Sequence, residues 1–587
     1  MSDKPLVIFD GKCGFCRIWI EYWRKLTGDR VDYAPSQELE AQERFRESVQ
    51  LAMPDGEVLG GARAVFTTLT YAPRLSWLLW TYDHVPGFAP AMEAAYRFFA
   101  AHRSFFYQVT RFTFSRDVSP LSYVRIEWIF LRALAVIYFS AFASFGWQVS
   151  GLIGKDGILP AARYLDAVHA TFGGRGYWYM PTVFWIAHGD AVLKAACVAG
   201  AAISIVLLVG FFQRAALACL YVLYLSLCTA GQDFMSFQWD MLLLEAGFLA
   251  IFLGSSRVVV YLFRWLLFRL MFLSGAVKLM SHDPSWRNLT AMSYHYMTQP
   301  LPTPPAWYMY QLPMSFQRVS TFAVFFVELI VPFLIFAPRL CRLFGAACLF
   351  GLQLLIFLTG NYTFFNLLAM ALCLFLLDDK VGRASGLSRT NRRFVQRSPP
   401  KLLSGTFKIV ACAIVILSLF ELPGMFFETD SAIVRLAAPF GIVNTYGLFA
   451  VMTTTRPEIL VEGSNDGNNW LAYGFPFKPG DLNRTPRWVA PYQPRLDWQM
   501  WFAALSAGRI PPWFENFMVR LLQGSPEVMV LLSYNPFPAG PPKYVRAQLY
   551  DYSFTDFGQR RTTGDWWQRK PLGAYFPRIS LDDVRLH

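Results

Sequence analysis

Between about residues 126 and 420 the sequence runs through a succession of long apolar segments, and nothing else in it restricts the possible folds so strongly. Inside hydrocarbon no water is available to backbone N–H and C=O groups, so such segments are stable only as helices that satisfy those groups internally. The pattern predicts spans at roughly 126–149, 190–210, 213–229, 237–254, 258–280, 318–337, 341–359, 363–377 and 405–420, about nine in all. Composition agrees. Apolar residues make up 55% of the chain and charged residues 16%, where a soluble domain carries about 25% charge. The formal charge of +13 does not read as a nucleic-acid footprint, because the basic residues sit in short loops beside the spans and no basic-aromatic motif accompanies them.

Those basic residues predict the orientation. One set of loops holds Arg214, Arg257, Arg339, Arg342 and the run Lys380, Arg383, Arg389, Arg392, Arg393, Arg397, Lys401. The other set holds only Lys155, Arg163, Arg175, Arg287 and the border residue Arg318. The richer set belongs on the cytoplasmic side, which places the N-terminus there and residues after 420 on the opposite side. No cleavable signal peptide is expected, since the first residues hold charges rather than an apolar core.

Three charged residues fall in the middle of expected spans: Glu245, Arg269 and Glu328. Charge at that depth is costly and is normally paired inside the bundle. Arg269 is therefore expected to pair with Glu245, Glu328 or both, either to fix helix packing or to serve a transport or catalytic role. Asp233, Asp240, Lys278, His282 and His295 lie nearer the outer face, where they are expected to line a polar cavity. No metal-ligand spacing joins these residues, and no cofactor or metal is called for.

The apolar body is flanked by two segments of soluble character, which divides the chain into residues 1–118, 119–420 and 421–587. The first begins with an apolar strand, Leu6 to Phe9, then Asp10-Gly11-Lys12-Cys13-Gly14-Phe15-Cys16, then a helix-like stretch from Arg17 to Lys25. A dithiol at a helix N-terminus is a redox-type arrangement, because the unpaired N–H groups there favour the thiolate of Cys13. A structural zinc site would need a second ligand pair nearby, and none occurs. The other seven of the nine cysteines lie in or beside apolar spans, where a cysteine behaves as a small hydrophobe. Further on, a charged helix is expected at Leu39 to Glu47, a turn at Asp55-Gly56 and a helix from Ala62 to Leu69. Ala89 to Phe114 mixes aromatic and basic residues in a pattern suited to a membrane surface or to packing on the head. In the last segment, Ile459 to Glu462, Asn465-Asp466-Gly467 and Trp470 to Tyr473 form a hairpin signal. Tyr544 to Phe554 alternates like a strand, and Leu496 to Leu505 and Trp513 to Leu522 read as helices, so this is a β-rich α+β domain.

The Asp-x-x-Cys-x-x-Cys box resembles the DCC family of thiol–disulfide oxidoreductase-like proteins over roughly the first 110 residues. That resemblance implies a thioredoxin-like α/β domain with Cys13 as nucleophile, Cys16 as resolving thiol and Asp10 as a buried proton acceptor or helix-start residue. Longer strings resemble the lipase maturation factor family. They include Gly231-Gln232-Asp233-Phe234-Met235-Ser236-Phe237-Gln238-Trp239-Asp240, Asp283-Pro284-Ser285-Trp286-Arg287, Asn444-Thr445-Tyr446-Gly447 and Gln493-Pro494-Arg495-Leu496-Asp497-Trp498. This second resemblance implies a protein of the secretory pathway, in the endoplasmic reticulum membrane in animals, that assists folding of a secreted client such as a lipase. The DCC-type head favours a bacterial inner membrane instead.

Three functions follow as expectations. The first is an assembly factor for secreted lipases or other exported proteins that carries a cytoplasmic dithiol module. Its partners would be membrane lipid, the client and a cytoplasmic thiol reductant or redox partner, with no nucleic acid. The second is a membrane-linked thiol–disulfide oxidoreductase. The third is a membrane-embedded enzyme or transporter acting on a lipid-like substrate.

Overall fold

The computed structural model describes residues 4–38, 48–73, 75–114, 122–384, 401–427, 431–506 and 508–585. The charged helix expected at Leu39 to Glu47, and Arg389, Arg392, Arg393 and Arg397, lie outside the described residues. Two compact units form: Met1–Ser122 with Phe336–Phe344, and Tyr123–Ile335 with Gly345–His587.

In the first unit, β1 (Leu6–Phe9) leads into α1 (Gly14–Thr27), and β2 (Asp32–Pro35) returns parallel to β1. Strands β3 (Gln50–Ala52) and β4 (Val58–Gly60) form a hairpin around Asp55-Gly56, where Gly56 takes a positive φ of 91°. The sheet order is β2-β1-β3-β4, with β3 antiparallel to β1. Helices α2 (Gly61–Thr70), α3 (Ser76–His84), α4 (Phe88–Ala101) and α5 (Arg103–Phe114) complete the unit. Val7, Phe9, Ile20, Val31 and Leu51 form its core, and Cys16 is buried among them.

The second unit contains the membrane body. Among the described residues, six helices are long and apolar enough to cross a membrane. They are α6 (Val124–Ile153), α7 (Asp190–Val209), α8 (Gln213–Ala230), α10 (Arg257–Met280), α12 (Met314–Phe325, prolonged by π and 3₁₀ turns to Phe336) and α13 (Arg339–Thr359). The segments predicted at 237–254 and 363–377 form only α9 (Gln238–Ala250) and α14 (Phe365–Cys373). At 1.5 Å per residue, the 13 residues of α9 reach about 20 Å. Both helices are sheathed by their neighbours, so their unbroken apolar character reflects burial in protein rather than contact with lipid. The helix α11 (Ala291–Thr298) lies between α10 and α12, and α15 (Lys401–Phe427) ends the body.

The C-terminal region belongs to the same unit. Its antiparallel sheet has the order β6-β5-β7-β8, from β5 (Arg456–Ser464), β6 (Leu471–Ala472), β7 (Tyr544–Phe554) and β8 (Trp567–Ile579). Helices α16 (Arg495–Leu505) and α17 (Pro512–Gln523) pack with it. The region docks on one end of the bundle, on the connections that follow α6, α8, α10 and α13. Gln148 near the end of α6 accepts from Arg495 N at 2.9 Å, and Arg520 reaches Gly157 O at 2.9 Å. Asp283, beyond α10, accepts from Met452 N at 2.5 Å. Asn361, beyond α13, donates to Arg487 O at 2.7 Å and accepts from Val489 N at 2.7 Å. Arg456, wholly buried, binds the carbonyls of Met297, Gln299 and Pro300.

Candidate functional site

The dithiol sits where β1 turns into α1. Cys13 caps the helix, its sulfur accepting from Cys16 N at 3.3 Å, and it remains half-buried while Cys16 is buried. The hydrogen bond from the Cys16 thiol pulls the Cys13 pKa from an ordinary 9.0 to about 6. Partial burial opposes that shift, and the Cys16 N–H and the Arg103 charge reinforce it. Cys16 moves the other way, because it donates to Cys13, is desolvated and faces the Cys13 charge. Cys13 is thus the more readily ionised of the two thiols.

Asp10 is neither buried nor the helix cap. Its Oδ1 accepts from Lys12 N and from Gln37 Nε2, both at 2.9 Å, and its Oδ2 lies 3.9 Å from Arg103 Nη1. The carboxylate ties the loop to the turn that follows β2 and to α5, because a helix whose cap is already a sulfur leaves Asp10 free to hold the turn. Gln37 also accepts from Gly11 N at 2.9 Å. From α5, Phe106 packs on Phe15 at 6.4 Å, and a side chain at Gly14 would lie 2.8 Å from the Tyr107 ring. The aromatic-basic stretch from Ala89 to Phe114 is therefore part of the dithiol's surroundings, while Phe98, Phe105 and Phe112 remain exposed.

In the membrane body Arg269 forms an ion pair with Glu245, both buried. The network extends into the C-terminal region. Arg269 donates to Asn444 O at 2.8 Å, and Glu245 accepts from Asn444 N at 3.1 Å and from the Tyr446 hydroxyl at 2.8 Å. Glu328 does not join Arg269. It pairs with Lys278 at 2.8 Å, and Lys278 also donates to Ser274 O and stands over the Trp286 ring. The reason is a close approach at Gly275, where an added Cβ would come within 2.9 Å of Glu328 Cβ. Glu328 is therefore level with Gly275, about 9 Å along α10 from Arg269.

The expected polar outer cavity is also corrected. Lys278 and His295 line a common cavity, but Asp233, Asp240 and His282 do not. Asp233 is exposed and meets Gln499 through its carbonyl, and His282 is exposed against Arg287. Asp240 is wholly buried and receives both Nη groups of Arg495, at 2.8 and 2.9 Å, with the Tyr224 hydroxyl at 2.5 Å. The sequence pattern placed these residues at one depth, but their neighbours separate them: charged partners 255 positions away in the chain are not visible in local spacing. His295 stacks parallel to Tyr362, whose hydroxyl is 3.3 Å from Nε2. Burial, with Lys278 nearby, lowers its pKa to about 4, so the ring is neutral. Among the described residues no group of three His, Cys, Asp or Glu side chains is placed to hold a metal ion.

The chain is thus a multi-pass membrane protein with a dithiol-bearing α/β unit and a β-rich region docked on its helices. Residues 125–384 match the lipase maturation factor transmembrane domain, residues 442–577 the lipase maturation factor C-terminal domain, and residues 7–109 a DCC1-like thiol-disulfide oxidoreductase. Lipase maturation factor 2 of Gallus gallus is 37% identical, over 78% of this chain and 82% of its own length. Lipase maturation factor 1 of Bos taurus is 36% identical, over 78% of this chain and 89% of its own length. The chain belongs to the lipase maturation factor family. No solved structure matches it.

Proposed function

We propose that this protein is an integral membrane maturation factor for secreted lipases or other exported proteins, with its dithiol unit on the cytoplasmic side and residues 442–577 on the opposite side. The observation that carries the reading is similarity to named lipase maturation factors along both the membrane body and the C-terminal region, together with the docking of these parts as one unit. The orientation rests on loop charge: Arg214, Arg257, Arg339 and Arg342 belong to the Arg-rich set of loops between the spans, which the positive-inside rule assigns to the cytoplasmic side. Client capture through that region is tested by affinity purification of the full chain from cells secreting a lipase, with lipase activity measured after deletion. Co-purification and a fall in secreted activity support the proposal; unchanged activity with no captured client refutes it.

A second reading, thiol–disulfide exchange by Cys13 and Cys16 with a cytoplasmic thiol partner, is favoured by the opposed shifts of the two thiols. The strand order β2-β1-β3-β4, with a parallel first pair, supports a thioredoxin-like head. In the exchange, the Cys13 thiolate attacks one sulfur of a partner disulfide and the other sulfur leaves as a thiolate. Cys16, once deprotonated, then displaces the partner, closing a Cys13–Cys16 disulfide and leaving the partner reduced by two electrons. Trapping the mixed disulfide with Cys16→Ser, and losing it with Cys13→Ser, tests this reading.

A further inference from the structure

Helices α4 and α5 have two faces, and the outer one is apolar. The inner face carries the contacts that hold the dithiol turn. Tyr96 accepts from Val49 N at 2.7 Å, Arg103 lies 3.9 Å from Asp10, Phe106 packs on Phe15 at 6.4 Å, and the Tyr107 ring closes on Gly14. The outer face carries Phe98, Phe105 and Phe112, which are 56%, 59% and 64% exposed. These three recur every seven residues, two helical turns apart, and Ala91, Ala94 and Ala101 beside them are exposed as well. The helices break at His102, yet the row continues across the break, because the Phe106 ring meets Phe98 at 5.9 Å and Phe105 at 5.2 Å. A helix on the surface of a water-soluble unit turns its polar face outward. A row of phenylalanines held outward marks a surface that meets something less polar than water.

The charge around this row has one sign. Arg97 and Arg111 flank it and are exposed. Glu93 is the sole acidic residue from Phe88 to Phe114. It is turned inward, accepting from Ala62 N at 3.3 Å, Arg63 N at 3.1 Å and the Tyr82 hydroxyl at 2.9 Å. Position in the chain decides which surface the row meets. α5 ends at Phe114, and α6, the first helix long and apolar enough to cross a membrane, starts at Val124. The ten residues from 114 to 124 span at most about 35 Å when fully extended. The same unit takes in Phe336–Phe344, the connection between the spans α12 and α13. The bilayer is thus tied to this face within one molecule, at a high effective concentration that a second copy or a soluble partner lacks.

We propose that the outer face of α4 and α5 lies on an anionic lipid surface. Phe98, Phe105 and Phe112 enter the boundary between headgroups and acyl chains, and Arg97 and Arg111 meet the anionic headgroups beside them. The two helices then lie in the plane of the interface. Their inner face holds the dithiol turn one helix diameter, about 10 Å, from the lipid. The proposal depends on neither the client reading nor the exchange reading.

The test is photolabelling of the full chain in nanodiscs of phosphatidylcholine and phosphatidylserine, with a phosphatidylserine probe whose diazirine sits at the top of an acyl chain. Labelling of α6 is the internal reference for an inserted chain. The expected result is labelling of α6 and of peptides covering 91–112, with none on the strands β1 and β3. The triple variant Phe98→Ser, Phe105→Ser, Phe112→Ser should abolish labelling of 91–112 and leave that of α6 unchanged. Arg97→Gln and Arg111→Gln should each weaken it about fivefold, the effect of one basic contact at an anionic surface. Phe112→Ser alone serves if the triple variant does not fold, and should weaken labelling about tenfold. A second arm places a photoreactive residue, Phe105→benzoylphenylalanine, which should form lipid adducts. Labelling of 91–112 no stronger than that of β1 and β3, labelling that survives the serines, equal labelling by a phosphatidylcholine probe in phosphatidylcholine alone, or capture of a second copy or another protein at position 105 in place of lipid overturns the proposal.

Discussion

Replacing Arg495 by leucine tests how the C-terminal region is held on the helices. Arg495 is wholly buried, donates to both carboxylate oxygens of Asp240 at 2.8 and 2.9 Å, and donates to Phe234 O at 2.6 Å. Its guanidinium also lies 5.2 Å from the centre of the Phe145 ring. Arg495→Leu strands the Asp240 carboxylate in the interior with the Tyr224 hydroxyl as its remaining donor. Breaking such a buried pair from one side costs about 3–5 kcal/mol. Asp240→Leu strands the guanidinium and should cost a similar amount. The double variant buries no charge. It retains only the loss at the Tyr224 hydroxyl and the Phe234 carbonyl, about 1–3 kcal/mol for each buried group left unpartnered. The assay is equilibrium unfolding of the full chain in mixed micelles, followed by tryptophan fluorescence, with limited proteolysis to detect release of residues 442–577. Each single variant should lower stability strongly and expose the C-terminal region to protease, and the double variant should be more stable than the sum of the singles allows. Strictly additive losses, or a single variant as stable as the parent, would refute the view that this pair is a latch.

Other outcomes follow from the same geometry. Alkylation of Cys13 should rise with pH through a midpoint near 6, since a depressed thiol is ionised above that pH and protonated below it. Cys16→Ala should move the midpoint upward, because the Cys16 thiol is the main cause of the depression, and Arg103→Gln should move it less; mass spectrometry of timed quenches reads both. Asp497 is buried and its pKa is raised to about 6, although Phe477 N and Lys478 N donate to it at 2.8 Å. A raised carboxyl contributes stability below its unfolded value of 3.8 that is lost as pH rises through about 6. Asp497→Asn keeps an oxygen acceptor, so it should raise the melting temperature at pH 8 and change it little at pH 4. Gly275→Leu should force α10 and α12 apart and cost about 1–3 kcal/mol in the same unfolding assay, whereas Gly351→Ala, where an added Cβ meets nothing within 4 Å, should be neutral or stabilising.

The sequence by itself determined what depends on short-range pattern. Apolar length announced a helical membrane body, because hydrocarbon leaves the backbone no other solution. The Cys13/Cys16 spacing announced a dithiol at a helix start, and the alternation from Tyr544 to Phe554 announced β7. β8 was not legible: it carries Pro571 and Pro577, is mostly exposed and pairs with β7 through register shifts, so it lacks the two-residue alternation that marks a half-buried strand. Only the tertiary structure decided which apolar helices are sheathed in protein, since burial in protein and immersion in lipid select the same residues. It alone decided the charge pairs too. Arg269 was legible as a buried charge that needs a partner, but Asn444 and Tyr446 reach its network from nearly 200 residues away, Gly275 gives Glu328 to Lys278, and Arg495 takes Asp240. Such pairings depend on which helices approach closely and on where the C-terminal region docks. A local pattern can say that a charge needs a partner; the packing says which one it gets.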